Sequence, residues 1–276
     1  MKKFLHTLLF LILSLGSAWA QQMDSSALHL AFQSNLEQEL WAQGQQEPLQ
    51  LFKAVDPIPD ANSAEWQEIV KVLADKKAKT NNDYKFIRTL FQKTHKKLLK
   101  NYKQHSTFNA MLTEGDFDCV SGSAALGLLL KEFGYDFDII ETDYHVFIMV
   151  NLDGKNIILE STLPIGGLIS KTSEVQAYLD SYKPKENATL SSMNTRIGNS
   201  EADISDNSIF RKVNLTQLAG LLYYNDGIFE FNSQQYKSAA DQLLKAYELY
   251  KSDRIAGLME LSEDLASGKK LIASQD

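Results

Sequence analysis

The chain has 276 residues, 44% of them hydrophobic, and a formal net charge of −7. That hydrophobic share is ordinary for a globular protein, and the acidic balance argues against nucleic acid as the main partner. Cys119 is the only cysteine, so an internal disulfide is excluded and stability must come from a packed core.

The N-terminus reads as an export signal. Lys2 and Lys3 precede a mostly apolar run at residues 4–15, and Ala18-Trp19-Ala20 has the small-x-small form of a cleavage site. Residues 1–20 are expected to be removed after Ala20, giving a periplasmic or secreted protein. No cysteine follows the apolar run to carry a lipid. No other run approaches the roughly 18 apolar residues of a spanning helix, so no transmembrane span is expected. In an oxidising compartment a lone thiol is a liability unless it is buried or useful.

Residues 24–41 carry helical spacing at Leu28, Phe32, Leu36 and Leu40, and residues 43–59 read as irregular. Ser63 starts a helix with Trp66, Ile69, Val70 and Leu73 on one face. Asn82 or Asp83 caps the next, whose stripe is Ile87, Leu90, Phe91, Leu98 and Leu99. The lysines between Lys93 and Lys103 read as a solvated helix face. Three runs with strand character follow the cysteine segment, at residues 137–141, 145–151 and 156–162. Asp153-Gly154 between the last two signals a hairpin. Residues 173–182 read as a short helix, residues 184–212 as a linker or long loop, and residues 213–267 as helices. The order implies an α+β fold rather than alternating α/β.

The segment EGDFDCVSGSAALGLLL, residues 114–130, holds Cys119. Asp118 is a good N-cap, which puts Cys119 in the first turn of an apolar helix that Gly134 ends. The helix N-terminus favours a thiolate and offers N–H groups to an oxyanion. Asp118 opposes this, because a neighbouring negative charge raises a thiol pKa. His145 opens the second strand. With a two-residue turn at Asp153-Gly154, paired residue numbers sum to about 307. His145 then faces Thr162, and Glu160, two residues away, shares its face. Glu160 can hold the imidazole tautomer. Cys119, His145 and Glu160 are the parts of a nucleophilic acyl-transfer site; the alternative from spacing alone is a buried structural cysteine.

The pieces DCVSGSAALGLLLKEFGY, ETDYHVFIMV and DGKNIILEST, within residues 108–167, resemble the transglutaminase-like superfamily. The resemblance implies a papain-like fold, with a cysteine at the start of a central helix and a histidine and an acid on adjacent antiparallel strands. It implies Cys119 as nucleophile, His145 as base and Glu160 as the orienting acid. Phe117 stands where many members have glycine, and Glu160 where aspartate is usual, although bacterial relatives carry glutamate there. The domain would span residues 21–183, with residues 213–267 as a second helical segment. That segment, YYNDGIFEF…QQYKSAADQLLKAYELYKSD, resembles a tetratricopeptide repeat. Gly227, Ala239 and Ala246 fall at its small positions, Tyr223 at its tryptophan position and Leu243 at its large apolar one, while Asp226, Glu230 and Lys251 depart from the pattern. One repeat cannot bury its apolar face alone, so it should pack on the thiol domain or on flanking helices.

His95 and His105 have no partner at metal-ligand spacing, and no phosphate loop is present, so no metal or cofactor is expected. Asp143 and Tyr144 are placed to shape a pocket mouth, Ser121 to support the helix start, and Asn109 to offer a second oxyanion donor. The functional expectation is an exported thiol-dependent acyl transferase or hydrolase (amidase, peptidase or crosslinker) acting on a protein or peptide. The alternative is a non-catalytic scaffold of the same fold that binds a protein partner through its helical C-terminus.

Overall fold

The computed structural model describes residues 30–59, 63–182 and 209–268. The expected signal peptide and most of the expected linker lie outside these residues. The described elements make a mixed α+β fold with an antiparallel sheet. Helices α1 (Asn35–Gly44), α2 (Pro48–Ala54), α3 (Ser63–Lys77) and α4 (Asp83–Lys97) come first. Strand β1 (Asn101–Tyr102), helix α5 (Phe108–Thr113), strand β2 (Asp116–Phe117) and helix α6 (Cys119–Glu132) follow. Then come β3 (Phe137–Thr142), β4 (Val146–Leu152), β5 (Lys155–Leu159), β6 (Leu168–Ile169), α7 (Thr172–Tyr182), β7 (Phe210–Val213), α8 (Leu215–Asn232), α9 (Tyr236–Leu249) and α10 (Asp253–Ala266).

Helix starts follow local chemistry. The Ser34 hydroxyl caps α1, accepting the Glu37 N–H at 3.1 Å, so the helix begins later than the apolar spacing from Leu28 suggests. Asn82 caps α4 through the Lys85 N–H at 2.7 Å. Helix α2 lies in the stretch read as irregular. Pro48 stands at its first turn, where a proline's missing N–H costs nothing and its fixed φ is already helical.

Helix α6 is the centre of the larger core: every residue from 120 to 130 is buried. It ends in a Schellman motif, with the Tyr135 N–H bonded to the Leu130 carbonyl at 2.9 Å and the Gly134 N–H to that of Lys131 at 3.1 Å. Gly134 takes φ of 72°, which a side chain would disfavour.

The main sheet has strand order β6-β5-β4-β3-β7, and all its pairings are antiparallel. Its two faces are covered differently. Ile139, Val146, Ile148, Val150 and Leu159 face the core that contains α6. Ile140, Phe147 and Ile158 face α7 through Val175, Tyr178 and Tyr182. The β4–β5 hairpin has the expected register, pairing Ile148 with Leu159 and Leu152 with Lys155. Asp153 and Gly154 both take positive φ, 50° and 79°, as the tight hairpin turn requires. Strand β7, in the last residues of the expected linker, closes the sheet against β3 and leads into α8.

Helices α8, α9 and α10 pack in sequence, and α8 also packs on α6 and α2. A Cβ at Gly227 would come within 2.7 Å of Leu243, and one at Gly220 within 2.8 Å of Tyr250. Tyr223, Ala239, Leu243 and Ala246 are fully buried. The helical C-terminus therefore covers its apolar face by leaning on the rest of the fold.

Candidate functional site

Asp118 is the N-cap of α6. Its carboxylate accepts the Ser121 N–H at 2.8 Å, and the Ser121 hydroxyl accepts the Asp118 N–H at 2.9 Å, closing a reciprocal capping box. This fixes Cys119 as the first helical residue. Phe117, just before, lies buried in the two-stranded β1–β2 pair, edge-on to Tyr102 at 5.9 Å. Asn225 of α8 donates to the free Asp118 oxygen at 3.0 Å. Burial raises the Asp118 pKa above the usual carboxylate value, against the pull of Ser121 and Asn225.

Two contacts set α6 against the strands that carry the histidine and the acid. The Ser123 hydroxyl donates to the carbonyl of Val146 at 3.2 Å, one residue past His145. Gly122 lets the first turn approach the residue after Glu160: a Cβ there would stand 2.8 Å from Ser161 Cβ and 3.1 Å from the Phe117 ring.

His145 sits between the Asp143-Tyr144 bend and β4. Its carbonyl accepts both the Thr142 N–H at 2.8 Å and the Thr142 hydroxyl at 3.1 Å, so its backbone is held across the β3–β4 turn. Its ring lies nearly parallel to Tyr182, with centroids 5.8 Å apart and 17° between planes. Nε2 is 2.6 Å from Glu160 Oε2. The other Glu160 oxygen accepts the Thr162 N–H at 2.8 Å and the Thr162 hydroxyl at 2.6 Å, and Tyr178 of α7 donates a third bond, to Oε2. Glu160 is 1% exposed. Burial pushes its carboxyl up, but the hydrogen bond and charge of His145, with Thr162 and Tyr178, bring it down to about 2. An ionised carboxylate only accepts, so Nε2 carries the proton and Nδ1 is left for a reacting partner.

Cys119 and His145 both open into one cavity of about 360 Å³. Asp143 and Tyr144 lie at its wall, as their position before His145 suggests, and Tyr144 is 95% exposed. No hydrogen bond joins the Cys119 thiol to His145 among the described residues. Burial raises the Cys119 pKa to about 12, Asp118 and then Glu160 add to it, and the N–H groups of Val146 and Cys119 oppose it. Burial and Asp118 thus oppose the thiolate that the helix N-terminus favours.

Other residues fall differently from their sequence reading. Asn109 is not an oxyanion donor: its NH₂ group is taken up by the carbonyls of Lys53, Val55 and Asp56, at 2.9, 3.0 and 2.9 Å, where α2 ends. His95 is a core residue, edge-on to Phe91 at 4.4 Å, with a pKa that burial lowers to about 4 against the charge of Glu160. His105 and Gln104 line the cavity although nothing in their spacing marks them. Leu221, Tyr224, Asn225 and Ile228 of α8 and Arg254 of α10 line it too, from more than a hundred residues downstream. The Tyr178 and Tyr182 pair had a signal: two tyrosines four apart on one helix face, both half-buried on the strand-facing side of α7.

No protein family, curated protein or solved structure matched the chain.

Proposed function

We propose that the chain is an exported thiol enzyme with a papain-like, transglutaminase-like core, acting on a protein or peptide through Cys119, His145 and Glu160. One observation carries the reading: His145 is oriented by a buried, fully hydrogen-bonded Glu160 and shares a cavity with Cys119. In this reading the Cys119 sulfur attacks an amide or ester carbonyl as His145 Nδ1 takes its proton. The S–C bond forms and the carbonyl π pair moves to oxygen. As the C–N or C–O bond breaks, the proton passes to the leaving amine or alcohol. Water or an amine then attacks the thioester, giving hydrolysis or transfer and regenerating the thiol. Because burial holds the thiol neutral, the proton moves during attack rather than beforehand.

The raised Cys119 pKa also favours a second reading: a non-catalytic scaffold of the same fold, whose tetratricopeptide-like C-terminal helices meet a protein partner. Acylation separates the two. Treatment of the protein from Gln21 onward with p-nitrophenyl acetate is expected to place one acetyl group on Cys119, detected by mass spectrometry. His145→Ala is expected to slow its formation by about 10²–10⁴-fold. No adduct, or an adduct whose rate ignores His145, would leave the scaffold reading standing.

A further inference from the structure

The cavity that Cys119 and His145 share also carries a fixed cation. Arg254, in the first turn of α10, lines the cavity with its side chain 26% exposed. One guanidinium nitrogen is bonded to fully buried Glu141, and the plane lies over the Tyr224 ring, 5.1 Å from its centroid. A second points weakly at the Asp143 carbonyl, 3.5 Å away, and Nε is buried without a partner. Glu141 does not neutralise this charge alone. It is shared with Arg211, whose Nε donates to it at 2.9 Å, and with the Tyr250 hydroxyl, so two guanidinium groups face one carboxylate.

Two acids line the cavity with Arg254, and each is held by neutral hydrogen-bond donors. Asp143 accepts the Ile209 N–H at 2.7 Å, and Asp118 is engaged by Ser121 and Asn225. Beside Arg254 the wall carries the Tyr224 ring, and Leu221 and Ile228 of the same helix line the cavity too, with Asn225 turned to Asp118. With two guanidinium groups on one carboxylate, the charge beside Glu141 is locally positive, and a guanidinium held next to apolar side chains, with one end nitrogen only weakly engaged, matches a carboxylate that carries an apolar group.

We propose that α8 and α10 form the specificity wall of the Cys119 cavity and that Arg254 receives a substrate carboxylate, the adjoining apolar side chain lying against Leu221, Tyr224 and Ile228. The substrate class is a peptide end or amide bearing a free carboxylate beside an apolar residue. This rests on the thiol-enzyme reading for its purpose, but the binding itself does not need turnover. The competing role for Arg254 is structural: it ties α10 to β3 through Glu141.

Charge-matched thiol reagents test the proposal. Cys119 in the intact protein is treated with methyl, sulfonatoethyl and trimethylammonioethyl methanethiosulfonate. Each rate is divided by the rate with free β-mercaptoethanol. The anionic reagent is expected to exceed the neutral one by about fivefold or more, with the cationic one slowest, and the preference should fall as salt is added. Arg254→Gln should abolish the preference and Arg254→Lys should retain part of it. A structural role alone would lower the melting temperature without moving the ratio. N-acetylphenylalanine should protect Cys119 from the neutral reagent at several-fold lower concentration than its amide.

No anionic preference in the unaltered protein, equal protection by acid and amide, or a thiol closed to all three reagents would each overturn the proposal. Neither readout involves turnover. A charge preference that persists when His145→Ala leaves acylation unchanged would remove the catalytic reading and keep the carboxylate site.

Discussion

Glu160 Oε2 lies 2.6 Å from His145 Nε2 because a two-residue turn puts both side chains on the face of the sheet that α7 covers. His145 stands one residue before β4 and Glu160 one residue after β5, at the same end of the hairpin, and of the two His145 lines the cavity.

Replacing Glu160 with Gln should change the imidazole more than the fold's outline. A carboxamide can turn its NH₂ toward His145, which would move the ring proton from Nε2 to Nδ1 and remove the base. Nitrogen-15 spectra of the imidazole should show that tautomer change, and acylation of Cys119 should fall with it. The pH dependence has a defined sign. Folding depresses the Glu160 pKa from 4.5 to about 2, so its contribution is present above about pH 4.5 and lost as pH falls through 2. The shift corresponds to about 3 kcal/mol. Denaturant titrations should therefore show stability falling between about pH 5 and 2, and a flatter slope for Glu160→Gln. Equal slopes would mean that the carboxylate is not held as described.

The thiol should behave as a buried acid. With its pKa near 12, the rate of iodoacetamide alkylation should rise about tenfold per pH unit through pH 10 without a plateau. Asp118→Asn removes the neighbouring charge while keeping a capping side chain, and should raise the rate at a given pH by up to about tenfold. A plateau near neutrality would show a preformed thiolate that burial does not suppress.

Local chemistry explains what could be read from residues alone. The α6 boundaries follow from Asp118 and Gly134, and the hairpin register follows from Asp153-Gly154, because caps and tight turns are decided within four residues. Helix α2 was hidden because Pro48 is a breaker everywhere except at a helix start, and only the folded backbone distinguishes the two. Asn109 shows the opposite failure: a polar residue near a thiol suggests chemistry, yet its amide closes the end of α2. The Asn225 and Arg254 contributions to the cavity had no signal at all. They depend on how α8 and α10 lean on α6 and β3, which no short-range pattern specifies.

Gly122 is a packing requirement on the site. A methyl group there meets Ser161 Cβ and the Phe117 ring, both in buried residues with little room to withdraw. Gly122→Ala should cost about 1–3 kcal/mol of stability despite alanine's better helix propensity. Because the contact adjoins Glu160, it should also slow Cys119 acylation. A stabilised variant with unchanged reactivity would show that α6 can shift without disturbing the strands.

Asp226 should make the C-terminal helices sensitive to pH in the opposite sense to Glu160. It sits on α8, facing Gln242 of α9, and departs from the repeat pattern that its neighbours follow. Burial raises its pKa from 3.8 to about 7, helped by Glu230 and Asp56 and opposed by Gln242 and Lys245. The folded state thus prefers the protonated acid. Its contribution is fully present below about pH 3.8 and is lost as pH rises through 7, an effect of at most about 4 kcal/mol. The Gln242 carbonyl oxygen is buried without a partner, so a neutral side chain with a donor at position 226 could satisfy it. Asp226→Asn should therefore stabilise the protein at about pH 8 and leave it little changed at about pH 4. Thermal denaturation of both proteins across that range checks this. A variant less stable at the higher pH would mean that the ionised carboxylate is favourably held, through Lys245 or Gln242, and that burial does not dominate at this position.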